Sequence, residues 1–195
     1  MNAIAHLVSP SQAYVPLRLA GRPLALKAVV LVLGVAFLTA SSYVQVPMYP
    51  VPMTMQTFAV LAVGAFCGWR LGLATIVAWL ALAMLNVPVL SEGKVGLAVF
   101  MGATGGYLAA FPIMAIFIGW MAERGWTGRT VPAFITLLIA EVICFIMGVG
   151  WLSTIVGFDK AIEYGLVPFA LGDLVKTVLA TAILTACCRI VPKTR

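Results

Sequence analysis

Charge is scarce in this chain: 195 residues carry twelve Lys and Arg, six Asp and Glu, and are 9% charged. An ordinary soluble domain has about 25%, and so few polar side chains cannot coat a water-facing globule. A water-soluble fold is excluded. Histidine is reduced to His6, and aspartate to Asp159 and Asp173. An intramembrane aspartyl protease needs two aspartates on facing helices, and a serine nucleophile needs a histidine beside it; neither set is present. There is no G-x-x-x-x-G-K-[ST] phosphate loop either, so any ATP-driven step belongs to a partner. The sequence therefore offers no catalytic residue and reads as a non-enzyme. Basic runs are missing too, which removes nucleic acid from the expected partners. The cysteines Cys67, Cys144, Cys187 and Cys188 lack metal-ligand spacing and stand in apolar surroundings, so they read as packing residues with no metal site among them.

What is present is apolar surface: 63% hydrophobic residues and a mean hydropathy of +1.11. Lipid is the remaining solvent, and there only helices or a closed barrel satisfy the backbone. Barrel strands alternate over about ten residues, whereas here whole stretches are apolar on every side. The expected fold is all-α, a single polytopic membrane domain over 1–195.

Breaks divide it. Residues 1–27 read as a membrane-edge tail, broken by Pro10, Pro16 and Pro23 and ending in Arg18, Arg22 and Lys27. Six helices follow at approximately 28–44, 54–68, 71–86, 104–122, 130–150 and 166–190. The first follows a long basic lead with only a weak cleavage pattern and is read as a span, not a signal peptide. The second and third are short against the roughly 20 residues that a span takes. The connection 86–103, with Pro88, Gly93 and Gly96, reads as partly embedded.

The Lys and Arg residues give an orientation. With the N-terminus cytoplasmic, the inner side holds Arg18, Arg22, Lys27, Arg70, Arg124, Arg129, Arg189, Lys193 and Arg195, and the outer side only Lys94 and Lys160. That asymmetry places both termini in the cytoplasm. Small residues recur at four-residue spacing in Gly64/Gly68, Gly68/Gly72, Gly102/Gly106 and Ala36/Ala40, a pattern for close helix approach or docking.

Only Glu141, Asp173 and Lys176 fall well inside predicted helices, where a charge survives only with partners or water. Asp173 and Lys176 are spaced i, i+3 and share a helix face. They are either a neutralised pair that fixes packing or a recognition point, Lys176 donating to a carbonyl or carboxylate and Asp173 accepting from N–H groups. Glu141 reads equally as a packing residue or a cavity lining. The segment MGATGGY, Met101 to Tyr107, combines glycines that let backbone approach a ligand with a helix N-terminus and an aromatic ring; on these residues alone the alternative is a plain loop and helix start.

Three stretches carry a family likeness: PVPMTMQTFAVLAVGAFCGWRLG (Pro50 to Gly72), GATGGYLAAF (Gly102 to Phe111) with AER (Ala122 to Arg124), and FALGDLVK (Phe169 to Lys176). In this order they resemble the BioY family, the biotin-binding S components of energy-coupling factor transporters. The resemblance implies a six-helix capture protein in a bacterial cytoplasmic membrane. Its ligand is biotin, with no cofactor, and its partners are a transmembrane coupling protein and two cytoplasmic ATPases. It maps the biotin site onto Asp173, Lys176, Thr104, Gly105, Gly106 and Tyr107, with Asn86 and Glu141 as further candidates, and the coupling contact onto Ala36 and Ala40. Ala103 stands where many relatives have Pro, which removes no polar group. The ligand's chemistry suits Asp173 as acceptor of a ureido N–H and Lys176 as donor to the ureido carbonyl, with the PVPMTM connection as a lid; the pose with Lys176 on the carboxylate stays open. The competing readings are a stand-alone ion- or proton-coupled carrier using Glu141 and Asp173, and a structural membrane protein.

Overall fold

The computed structural model of the protein describes residues 22–190, together with Val15 and Leu17, and side chains as far as Cys188. His6, Pro10, Pro16, Arg18, Lys193 and Arg195, and the Arg189 side chain, lie outside the described residues. Helix α1 (Leu24–Tyr43) begins directly after Pro23, whose fixed φ suits a helix start, and ends where Val44 turns extended. It starts four residues before the expected 28, so Lys27 belongs to its first turn. Two short antiparallel strands follow, β1 (Gln45–Val46) and β2 (Met53–Thr54), paired Gln45 to Thr54 and Val46 to Met53. The proline-rich PVPMTM segment is thus part of a hairpin strap.

Helix α2 (Gln56–Met84) is interrupted at Gly68, where φ is 77° and ψ 174°. The chain reverses there: a Cβ on Gly72 would lie 3.3 Å from the Cα of Gly64, whereas eight residues of straight helix span about 12 Å. Residues 56–67 and 69–84 are therefore the two arms of a helical hairpin, and they correspond to the two short helices expected at 54–68 and 71–86. The backbone N–H of Trp69 donates to Glu123 Oε1 at 3.3 Å and closes the turn. All three glycines of the Gly64/Gly68/Gly72 run have work here: Gly64 lies against Ala115 and Ile118, Gly68 turns, and Gly72 meets Gly64.

The 86–103 connection holds a 3-10 turn at Ser91–Gly93 and a one-turn helix α3 (Leu97–Met101). Then come α4 (Gly105–Glu123), α5 (Thr130–Val156), the short α6 (Phe158–Gly165) and α7 (Val167–Ile190). Helix α5 runs six residues past its expected end, and α6 fills part of the connection expected between 150 and 166. Among the described residues five helices are long and apolar enough to cross a membrane, with the α2 hairpin counted as one. Helix α2 packs mainly on α4, α4 on α5, α1 on α2, and α7 on α5 and α2. Trp79, Leu61, Ile76, Met114, Ile118 and Leu137 fill the centre. Outward, α1 leaves Val29, Val32 and Leu33 more than half exposed, the pattern of a face that meets lipid or another protein.

Candidate functional site

A narrow cleft, partly open to its surroundings, lies between the strap, α2, α4, α5 and α7. Its apolar wall includes Leu108, Phe111, Phe145 and Phe169, and its polar groups come from Thr54, Gln56, Thr57, Ser91 and Thr104. Three charged side chains line it: Asp173, Lys176 and Lys94.

Helical spacing brings the first two together. Lys176 Nζ lies 2.6 Å from Asp173 Oδ1, and both side chains are less than a tenth exposed. Lys176 also donates to the Thr54 carbonyl at 2.6 Å and to Thr57 Oγ1 at 3.2 Å. An ammonium has three hydrogens, so its donors are fully engaged. Asp173 Oδ1 receives a second hydrogen bond from Thr57 Oγ1 at 3.2 Å. Among the described residues Asp173 Oδ2 has no hydrogen-bond partner, which leaves one carboxylate oxygen for a donor in the cleft. The pair is neutral as a unit, which lowers the cost of burying two charges.

Lys94 differs. It pairs with Glu92 at 2.6 Å, with both side chains about two-fifths exposed, and stands where the cleft meets the surroundings. The loop before it is held firmly. The Val89 carbonyl accepts from Trp79 Nε1 at 3.2 Å and shares the single hydroxyl hydrogen of Ser42 with the Thr39 carbonyl, each 2.7 Å from Oγ, and the Pro88 carbonyl accepts from Tyr43 Oη at 2.7 Å. Trp79 in turn stacks on Phe111 of the cleft wall, with ring centroids 6.3 Å apart.

Of the residues expected at the site, Asp173, Lys176, Thr104 and Tyr107 meet on this cleft. Tyr107 contributes its ring, because its hydroxyl is committed to the Gly165 carbonyl at 2.8 Å. Gly105 and Gly106 are buried away from the wall. A Cβ on Gly106 would meet the Trp151 side chain and the Met147 carbonyl, and one on Gly105 the Phe100 carbonyl; these glycines let α4 close on α5 and α3. Asn86 is exposed in the left-handed region at φ 63°, a conformation asparagine tolerates, and it ends α2 beside Gly96. It is a turn residue outside the cleft. Glu141 is 2% exposed and one turn from Cys144, which does line the cleft; both Glu141 oxygens lack a hydrogen-bond partner among the described residues.

The sequence reading passed over Thr54, Gln56, Thr57, Ser91 and Lys94. The signal for the first three was three polar residues within four positions at the head of an apolar helix. Ala36 and Ala40 are both exposed, so neither is consumed by packing within the chain; Gly34 is the residue of α1 that seats against Thr75.

With this geometry established, comparison with known proteins is specific. The sequence profile of the BioY family matches residues 12–193. The probable biotin transporter BioY of Pyrococcus horikoshii is 35% identical over 154 residues, 79% of this chain and 90% of that protein. The biotin transporter BioY2 of Lactococcus lactis is 33% identical over 151 residues, 76% of this chain and 82% of that protein. Among solved structures, the S component for biotin from an ECF-type ABC transporter superposes with a TM-score of 0.76 at 26% identity, covering 85% of this chain and 92% of that one. The likeness spans sequence and fold alike, and this chain belongs to the BioY family.

Proposed function

We propose that the protein is the biotin-capturing S component of an energy-coupling factor transporter, spanning a bacterial cytoplasmic membrane six times with both termini in the cytoplasm. The observation that carries the reading is the cleft in which a buried, neutral Asp173–Lys176 pair leaves Asp173 Oδ2 open. The names of the relatives, biotin transporters and a biotin S component, support the same ligand. A ureido group has N–H beside C=O, and Asp173 beside Lys176 is its complement: Oδ2 accepts the N–H and Lys176 donates to the carbonyl. Because the ammonium is already saturated, the ligand carbonyl takes the place of the Thr54 carbonyl. The apolar wall then receives the bicyclic ring, and Lys94 at the open end is the counter-charge for the valerate carboxylate. A carboxylate on Lys176 would instead sit against Asp173 and be repelled.

The six spans of this reading include both arms of the α2 hairpin, which are short and rely on flanking residues or local thinning of the bilayer. The Gly68 turn and Arg124 then face the cytoplasm, and Lys94 and Lys160 the outside, in keeping with the distribution of positive charge. Ala36 and Ala40, exposed on α1, are the contact for the transmembrane coupling protein, which works with two cytoplasmic ATPases.

The test is a biotin titration of the purified chain with Asp173→Asn and Lys176→Ala variants; undiminished affinity in both removes the site. Comparing Lys176→Ala against biotin and its carboxyl amide decides the pose: equal fractional losses exclude Lys176 as the carboxylate's partner. Full uptake in cells lacking every coupling ATPase would replace the subunit with an autonomous carrier.

A further inference from the structure

Thr57 stands out among the helical threonines. The hydroxyls of Thr39, Thr75, Thr136, Thr181 and Thr185 each donate to the carbonyl four residues earlier, the usual self-satisfying arrangement in a helix. Thr57 lies in the first turn of α2, where the residue four back, Met53, belongs to β2 and offers no helical carbonyl. Its hydroxyl goes across the bundle to α7 instead, to Asp173 Oδ1 at 3.2 Å.

The direction of that bond is fixed by chemistry. A hydroxyl has one hydrogen and two lone pairs, and an ammonium can only donate. Lys176 places an N–H on Thr57 Oγ1 at 3.2 Å, so the hydroxyl hydrogen turns to Asp173. Oδ1 therefore holds two donors, Thr57 and Lys176. A carboxylate's terminal torsion is broad on its own; two donors on one oxygen narrow it and keep Oδ2 apart from Lys176.

We propose that Thr57 is a positioning residue of the ligand site: it commits one oxygen of Asp173 to the protein and so reserves the other for a ligand N–H. Without the hydroxyl, Lys176 loses one acceptor and its third N–H moves onto Oδ2, filling the acceptor that the ligand uses. The selectivity of the cleft for an N–H donor beside a carbonyl thus depends on a hydroxyl that need not touch the ligand. The inference rests on the biotin reading above and deepens it.

The experiment measures binding of biotin, and of biotin methylated on a ureido nitrogen, to the full chain and to Thr57→Val and Thr57→Ser. Valine keeps the shape and removes the hydroxyl; serine keeps the hydroxyl. The expected result is a loss of biotin affinity of about tenfold in Thr57→Val, the worth of one hydrogen bond to a charged group, and recovery to within about threefold in Thr57→Ser. The preference for biotin over its N-methyl analogue should shrink in Thr57→Val alone. In an Asp173→Asn background, Thr57→Val should add little, because the oxygen it orients is gone. A wild-type chain that fails to bind biotin removes both the reading and this proposal. A wild-type chain that binds while Thr57→Val binds equally well, or an affinity loss that serine does not recover, or an unchanged preference between the two ligands, overturns the proposal and leaves the biotin reading standing.

Discussion

The ammonium of Lys176 lies 2.6 Å from the backbone carbonyl oxygen of Thr54, so a side chain of α7 holds the last residue of β2. One turn away the strap is seated a second time: a Cβ on Gly172 would come within 3.0 Å of the Met53 sulfur. In the proposed pose the same ammonium donates to the ligand carbonyl, so there the strap and the ligand compete for it.

Removing the ammonium should loosen the strap. In the double variant Asp173→Leu with Lys176→Met, which leaves no lone buried charge, amide hydrogen exchange over residues 45–55 should quicken by about tenfold, corresponding to about 1.4 kcal/mol of local opening free energy, while α4 is unchanged. Hydrogen-exchange mass spectrometry checks this; an unaltered exchange rate in the strap would mean that Met53 on Gly172 suffices to hold it.

The buried pair predicts a non-additive pattern of stability. Asp173→Leu leaves an uncompensated buried ammonium and should cost about 3–5 kcal/mol, whereas the double variant Asp173→Leu with Lys176→Met should recover most of that loss. Both variants should fail to bind biotin. Unfolding of each in the same detergent decides it, and equal instability of the single and double variants would contradict the assignment of a neutral pair.

The glycines of α4 and α5 should fall into two groups. Gly106→Ala drives a methyl into Trp151 and the Met147 carbonyl, and Gly148→Ala drives one into the Tyr107 ring; each should cost about 1–3 kcal/mol as overpacking. Gly150 has nothing within 4 Å of its Cβ position, so Gly150→Ala should be neutral or gain up to about 1 kcal/mol from helix propensity. Thermal unfolding of the three variants is the measurement.

At the open end the two members of one ion pair should act in opposite directions. Lys94→Ala should weaken biotin by about threefold, a modest effect because the site is exposed and screened, and leave the carboxyl amide of biotin unaffected. Glu92→Ala frees Lys94 and should tighten biotin slightly. Titrations with both ligands at two salt concentrations test this; equal effects on acid and amide would remove Lys94 from the carboxylate.

On α1, Ala36→Trp and Ala40→Trp add bulk to an exposed face. Biotin affinity should stay within about twofold of wild type, since neither residue approaches the cleft. ATP-driven uptake in cells should fall by at least about tenfold if this face meets the coupling protein, a loss equivalent to about 1.4 kcal/mol. Full uptake in both variants would move the contact elsewhere.

The parts of this fold that were legible in the sequence are those governed by local composition. Apolar runs gave the long helices, and scarcity of charge singled out Asp173 and Lys176, because an ion in lipid needs an adjacent partner and the i, i+3 spacing supplies one. Distant packing was not legible. Gly105 and Gly106 have the composition of a ligand-hugging loop, and only the presence of Trp151 and Phe100 beside them makes them contact glycines. Asn86 is a polar residue at the end of an apolar run, and its left-handed backbone, which places it at the turn that ends α2, depends on the fold. Thr57 was overlooked for the converse reason: in a sequence, a threonine that reaches across a bundle is indistinguishable from Thr75 or Thr181, which satisfy themselves on their own helix. Helix α6, charged and only eight residues long, fell below the apolar-run signal that revealed the others.

The Val89 carbonyl, gripped by both Ser42 and Trp79, makes the cleft lopsided. One jaw is clamped to two helices and backed by the Trp79–Phe111 stack; the other is a two-stranded strap whose attachment includes a bond the ligand itself can replace. A vessel built this way has one side with more to lose by opening than the other. In the proposed binding mode the energy for admitting a ligand is spent on the strap between Gln45 and Thr54, while the helices keep their packing, and the arriving molecule supplies the hydrogen bond that the strap gives up.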